Sequence, residues 1–223
     1  MPRSPISLNG PIAEEAYRPL RGGDLALDFI NTIDRTGDDP LPSYDYFAPG
    51  YANLLAWSTF AGVIGERDAT SLRRVARKEG RQAAAVRRRA VALREAIWSI
   101  ARGLRHNEII PGEALATLAA EVEIAQQAQR LVLVDGHLAR VFDERPDLDA
   151  VLWPVALAAI ALFESPRVDH VGECAAEGCG WFFLDTSKNH SRRFCSATGC
   201  GNTERVRRFR QRNAATAPAT NPV

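Results

Sequence analysis

The four cysteines of this chain fall in two pairs near its end, Cys174-Ala-Ala-Glu-Gly-Cys179 and Cys195-Ser-Ala-Thr-Gly-Cys200, with fifteen residues between them. Two short-spaced pairs across a hairpin-sized gap are the pattern of a four-thiolate zinc site. Each pair predicts a knuckle, a tight turn that points two sulfurs at one ion. A glycine precedes and follows the second cysteine of each pair: Gly178 and Gly180, Gly199 and Gly201. Glycine supplies the positive backbone angles that such turns demand. Four thiolates close the tetrahedron and leave no position for a substrate or water, so the ion is structural rather than catalytic. Two disulfides, or free buried thiols, are the competing readings. The start of the chain, Met1-Pro-Arg-Ser-Pro-Ile-Ser7, lacks the apolar core of a secretory signal. That start predicts a cytoplasmic protein, and a reducing compartment disfavours disulfides.

So small a module buries little apolar surface, and the metal supplies much of its folding energy, on the order of 10 kcal/mol or more. Between the knuckles, Trp181-Phe-Phe-Leu184 reads as a short strand. Asp185-Thr-Ser-Lys-Asn189 is turn chemistry, and Ser191-Arg-Arg-Phe194 is placed to return as the second strand. Asn202 or Thr203 is a natural N-cap for a helix beginning near Glu204. Val206 and Phe209 are then spaced to pack on the hairpin. Knuckle, hairpin, knuckle, helix is the order of a treble-clef finger. His190 would replace a sulfur only if the fourth thiol were out of reach.

Charge singles out the same region. The whole chain carries +1, but the segment from Ser187 to Arg212 carries +7, which leaves −6 for the remainder. Arginine pairs with phosphate and reads guanine bidentately in the major groove. Lys188, Arg192, Arg193, Arg205, Arg207, Arg208, Arg210 and Arg212 are therefore the candidate nucleic-acid contacts. Lys188, Arg192 and Arg193 would hold phosphates while the helix enters a groove. Zinc with four thiolates carries a net negative charge, and Arg192 and Arg193, nearest Cys195, are the cations that could be spent on neutralising it. The same patch suits RNA, with Trp181, Phe182 and Phe183 stacking on bases, although three bulky apolar residues in a tiny module more simply form its core. One finger offers a small interface, so useful affinity calls for a homodimer.

Upstream of the finger the periodicity is helical. Asp24 is a good N-cap, after which Leu25, Phe29 and Ile33 fall on one face. Asp28, Asn31 and Thr32 are polar groups inside that apolar pattern. They read either as a cap network for nearby backbone or as the polar corner of a ligand pocket. Residues 34–50 read as a loop. Helices are predicted from Tyr51 to about Ile64, from Asp68 or Thr70, and from about Arg81 to Arg105, with Gly80 dividing the last two. Ala90, Leu93, Ile97, Ile100 and Leu104 mark the apolar stripe of the long helix. Arg87-Arg88-Arg89 reads as solvated surface ahead of a binding cluster. Pro111 opens a further helix carrying Leu115, Leu118, Val122 and Ala125.

Residues 130–134 and 137–142 flank an Asp135-Gly136 turn and predict a β-hairpin, with His137 exposed. A nearly all-apolar helix from about Leu148 to Phe163 is expected at the centre of the body, with Pro154 kinking it or in its first turn. The apolar run from Ala150 to Phe163 is shorter than the roughly 20 residues a membrane span needs.

The expected architecture is mainly α with a small β-hairpin. A flexible arm (1–20) and a helical body (21–166) precede a treble-clef-like four-cysteine zinc finger (167–213), and a disordered tail follows (214–223). No phosphate loop, nucleophile motif or histidine–carboxylate cluster is present, so no enzymatic role is expected.

Two stretches resemble known domains. Trp181-Phe-Phe-Leu-Asp-Thr-Ser-Lys-Asn189, Ser191-Arg-Arg-Phe-Cys-Ser196 and Cys200-Gly201-Asn202 resemble the CGNR zinc finger. Gly23-Asp-Leu-Ala-Leu-Asp-Phe-Ile-Asn-Thr32 resembles the opening of the ABATE domain that usually precedes that finger. Thr203 departs from the arginine of the finger's motif, and Phe194 stands where tryptophan is expected. The resemblance implies a bacterial, stress-related transcription regulator that binds DNA through a zinc-dependent finger. Its helical body would be free to sense a small-molecule effector. The alternative is a protein that does not bind DNA, whose zinc module stabilises or docks a ligand-binding or enzymatic body.

Overall fold

The computed structural model describes residues 20–35, 44–142 and 145–215. The proposed N-terminal arm before residue 20, part of the 34–50 loop and the tail after residue 215 lie outside the described residues. The elements run α1 (Leu25–Ile30), α2 (Tyr51–Phe60), α3 (Glu66–Lys78), α4 (Gly80–His106), α5 (Gly112–Gln127), β1 (Gln129–Val134) and β2 (His137–Phe142). They continue with α6 (Trp153–Phe163), β3 (Val171–Glu173), β4 (Phe182–Leu184) and α7 (Cys200–Ala215). The fold is mainly α with two small two-stranded antiparallel sheets, β1–β2 and β3–β4.

The long helix α4 is the spine of the body. Ala90, Leu93, Ile97 and Ile100 bury one stripe of it, as their spacing predicts. Leu104 departs from that stripe and is exposed, because the helix ends two residues later at His106 and turns away through Asn107 in a left-handed conformation (φ 55°). In α5, Leu118, Val122 and Ala125 face inward while Leu115 faces solvent. α6 packs on α1 and α5 at the centre, with Val155, Ala156, Ala159 and Leu162 fully enclosed. Pro154 lies in its first turn, where the missing N–H costs nothing.

The β1–β2 hairpin closes through Asp135 (φ 49°) and Gly136 (φ 80°). Two consecutive positive φ values define the turn that matches strand twist. Val134 pairs with His137, whose side chain is exposed as predicted.

Several boundaries differ from the sequence reading. α1 stops at Ile30, and Ile33 forms an isolated bridge with Asp45 instead of extending the helix. The Thr32 hydroxyl bonds the Phe29 carbonyl at 2.7 Å, and that local bond competes with a further helical turn. α2 ends at Phe60, short of Ile64, and α3 begins at Glu66, before Asp68, with Gly65 as its cap.

The largest difference is in the finger. β4 forms where Trp181-Phe-Phe-Leu184 predicts a strand, but it pairs with β3, upstream of the first knuckle. Residues 191–194 form no strand. Their backbone is engaged elsewhere: the Arg192 N–H donates to the Asp185 carboxylate at 2.8 Å, and the Arg193 carbonyl accepts from Ala175 N–H. The β3–β4 hairpin thus carries the first knuckle at its tip, and the second knuckle leads straight into α7.

Candidate metal centre and nucleic-acid interface

The zinc ligands are built by these two pieces of backbone. The loop after β3 delivers Cys174 and Cys179, with Gly178 (φ 69°) and Gly180 (φ 61°) in the left-handed region that the knuckle requires. The second knuckle works differently. Gly199 and Gly201 keep ordinary backbone angles, so the left-handed turn expected there does not form. Ser196 caps it: its hydroxyl accepts from Gly199 N–H at 2.9 Å and its carbonyl from Gly201 N–H at 2.8 Å. The helix therefore begins at Cys200, earlier than Asn202 or Thr203 would have capped it. Cys200 is the first residue of that helix, so the start of α7 is tethered to the metal centre.

The four sulfurs lie within 4.8 Å of one another. Cys179–Cys195, Cys195–Cys200 and Cys200–Cys179 are 3.7, 3.5 and 3.6 Å apart. A tetrahedral ion with Zn–S bonds of ~2.3 Å spaces its sulfurs at roughly 3.8 Å, whereas a disulfide needs ~2.05 Å. The geometry fits one structural zinc ion and excludes disulfide pairing. The Cys195 amide donates to Cys174 Sγ at 3.3 Å, the kind of bond that holds a thiolate. Hydrogen bonds from neighbouring thiols hold Cys174 low, while hydrogen bonding to Cys174 pushes Cys179 and Cys195 up. His190 contributes nothing to this set; its ring stacks on His170 with centroids 3.7 Å apart.

The candidate cations separate into two groups. Arg192 is spent internally. Its guanidinium donates to the carbonyls of Phe194, Leu184, Arg21 and Cys195 and lies 4.3 Å from the Phe183 ring centroid. It is a tie between finger and body, and its charge rests on carbonyls rather than on sulfur. Arg207 is paired with Glu204 and Glu177. Lys188 and Arg193 are exposed near the knuckles. Arg205, Arg208 and Arg210 are exposed on α7 and have no ion-pair partner among the described residues. Arg212 is exposed on the same helix and lines a shallow depression with Arg205 and Arg208.

Every residue from Arg205 to Asn213 is exposed. α7 is anchored near its start, through Gly201, the buried Glu204 and the Arg207–Glu177 ion pair. Val206 and Phe209, expected to pack on the hairpin, are 40% and 58% exposed. The reason is topological: β4 is already buried against the body and paired with β3. Thr203, in place of the expected arginine, back-bonds the Gly199 carbonyl through its hydroxyl. Phe194 packs against Gly201.

Asn31 holds the finger to the body, while Asp28 and Thr32 bond to groups of the body itself. Asn31 grips the Phe182 backbone from both sides: its amide donates to the carbonyl at 2.8 Å, and its side-chain oxygen accepts from the N–H at 3.0 Å. Asp28 accepts from the amides of Arg21 and Gly22; burial pushes its carboxyl up against the pull of those two bonds. Thr32 also accepts from Arg94. The cavity beside the three residues is about 10 Å³, room for roughly one water.

Sequence reasoning missed two other ties. Trp181 Nε1–H donates to the Tyr44 hydroxyl at 2.8 Å, and Arg94, fully buried, pairs bidentately with Asp45 at 2.7 and 2.8 Å. Neither carries a sequence signal, because the partners are 137 and 49 residues apart. Of the Arg87–Arg89 run, expected to be solvated, Arg87 donates to the carbonyls of Phe47 and Ala48, Arg89 pairs with Glu121 and Asp149, and Arg88 alone is exposed.

A helical body bonded along one hairpin to a four-cysteine centre, with an arginine helix rising from it, defines a treble-clef-like zinc-finger protein. The chain matches the CGNR zinc finger over residues 170–213 and the ABATE family, described as "Putative stress-induced transcription regulator", over residues 23–166. The second match covers more than half of the chain, which therefore belongs to the ABATE family. A search of curated proteins finds no match. No helix among the described residues is long and apolar enough to cross a membrane.

Proposed function

We propose that this chain is a non-enzymatic bacterial transcription regulator that acts in the cytoplasm and binds DNA through α7. One observation supports the reading: a basic helix, exposed over nine consecutive residues, is fixed at its start by the zinc centre. A helix of that kind fits the major groove, with Arg205, Arg208, Arg210 and Arg212 as its cations and Lys188 and Arg193 placed for backbone phosphates. Its 16 residues span roughly 24 Å. One such helix is a small interface, so the regulator would act as a homodimer, with the helical body receiving an effector signal.

The test is binding of zinc-loaded full-length protein to mixed genomic duplex fragments across a salt series. Affinity should fall steeply with salt as counterions are released. The Arg205→Glu, Arg208→Glu variant should lose at least ~100-fold, since each reversal removes one phosphate contact and adds a repulsion. Folded, zinc-loaded protein that binds no duplex at low salt would sink the reading. A second reading has its own support: Trp181, Phe182 and Phe183 are core of the body, so the zinc module also completes that core. If stabilisation were its whole function, the double reversal would leave every binding activity of the protein intact.

A further inference from the structure

The described residues contain a cleft of about 880 Å³ between α2, α3 and the first half of α4. That is the size range of small-molecule sites. Its floor is apolar, formed by Leu55, Ala56 and Ala83 beside the Tyr51 ring. Its rim carries Arg73, Arg77, Arg87 and Arg88 against one acid, Glu66. Arg73 and Arg77 are one helical turn apart on α3, so they share a face, and like charges at that spacing repel. Arg73, Arg77 and Arg88 have no ion-pair partner among the described residues. This contrasts with Arg89 and Arg94 elsewhere on α4, which are both consumed by carboxylates. Arg87 has a different part: by holding the Phe47 and Ala48 carbonyls it fixes the wall of the cleft that leads into α2. α2 and α4 both begin at this cleft, α2 after its cap residue Gly50 and α4 with Gly80, and neither helix start is capped by a side chain. Apolar floor, unpaired cations and two positive helix ends together describe a receptor for one kind of molecule.

We infer that this cleft binds an amphiphilic organic anion, its apolar body on Leu55, Ala56 and Ala83 and its carboxylate, phosphate or sulfonate held by Arg73, Arg77 and Arg88. The site deepens the effector part of the proposed function and does not rest on DNA binding, so binding is measured without DNA. Arg87 connects the cleft to the 44–48 segment, whose Tyr44 hydroxyl meets Trp181 of the finger.

Fluorescent titration of the full-length zinc-loaded protein with anilinonaphthalenesulfonate, an aromatic sulfonate, tests the inference. One molecule should bind per chain. Arg73→Ser with Arg77→Ser should weaken it at least ~10-fold, because charge-assisted hydrogen bonds are the strong ones. The same variant should change binding of the uncharged N-phenylnaphthylamine by less than about twofold, since the apolar contact is untouched. Both substituted arginines are exposed, and a melting curve matching the parent would show that the fold is intact. Ala56→Trp, which fills the floor, should block both probes. Displacement of the sulfonate by decanoate or by decyl phosphate identifies the headgroup, and displacement by either supports the site. Unchanged sulfonate affinity in the double arginine variant would overturn it. So would loss of sulfonate binding in a Leu133→Ser, Leu138→Ser variant, which would place the probe on the exposed β1–β2 hairpin instead.

Discussion

β4 and α7 hang from the same four cysteines and have opposite fates. Phe182 and Phe183 in β4 are wholly enclosed, and the strand is bonded to the body by Asn31, by the Gly22 carbonyl and through the neighbouring Trp181 by Tyr44. α7 is anchored only near its start among the described residues, by the buried Glu204 and the Arg207–Glu177 ion pair. The zinc centre is thus a hinge point in the architecture rather than the heart of a separate domain: one arm is core and the other is surface. A four-thiolate ion can do this because it replaces the apolar core that a module of this size would otherwise need. It frees the helix from packing, and a helix released from packing can present arginines on every face.

The contrast can be broken in order of effect. Removing the metal, by chelation or by Cys195→Ser with Cys200→Ser, should cost on the order of 10 kcal/mol. It should lower the melting transition of the whole chain, because β4 belongs to the body core. Two separate transitions in calorimetry, with the body unmoved, would show instead that the finger folds alone. Phe182→Ala should cost about 3–5 kcal/mol in denaturant unfolding, the usual range for a buried phenylalanine. Arg94→Ala should cost a similar ~3–5 kcal/mol by leaving Asp45 without its buried partner.

That pair also sets a pH dependence. Burial pushes the Asp45 carboxyl up, but hydrogen bonds from Arg94, the Arg94 charge and the Phe47 amide pull it further down, to a net value below the ordinary one. A depressed carboxylate contributes stability above its unfolded value of ~3.9 and loses it as pH falls through the folded value. Melting temperature against pH should therefore drop more steeply on the acid side for the parent protein than for Asp45→Asn. Asn31→Ala should cost about 2 kcal/mol or more, leaving two buried backbone groups of Phe182 unsatisfied. At the small end, Phe209→Ala should stay within about 0.5 kcal/mol, as for a surface position. The same substitution at 182 and 209, in one finger, measures the difference between its two arms directly.

Much of this was legible in the chain. The cysteine spacing is a local signal, and the four sulfurs meet as their pattern predicts. Helical periodicity in α4 and α5, the Asp135-Gly136 turn and the apolar run of α6 are local as well, and each forms where its residues indicate. The errors have a common cause. Leu104, Val206 and Phe209 follow an apolar period and are nonetheless exposed, because periodicity says which residues share a face and not whether another element arrives to cover it. The return strand at 191–194 fails for a related reason: β3, upstream of the first knuckle, already pairs with β4.

By itself, then, the sequence determined the metal, the helical body and the basic charge at the end of the chain, since all three depend on residue type and short spacing. Tertiary structure decided which arginines remain available. Arg192, Arg94 and Arg89 are consumed by carbonyls or carboxylates brought from distant parts of the chain, while Arg205, Arg208 and Arg210 stand clear. It also decided that Asn31 is a clamp on Phe182, 151 residues away. Composition counts charges and amides, but a partner supplied through space has no local signature, and only the packed chain shows which polar groups are already satisfied.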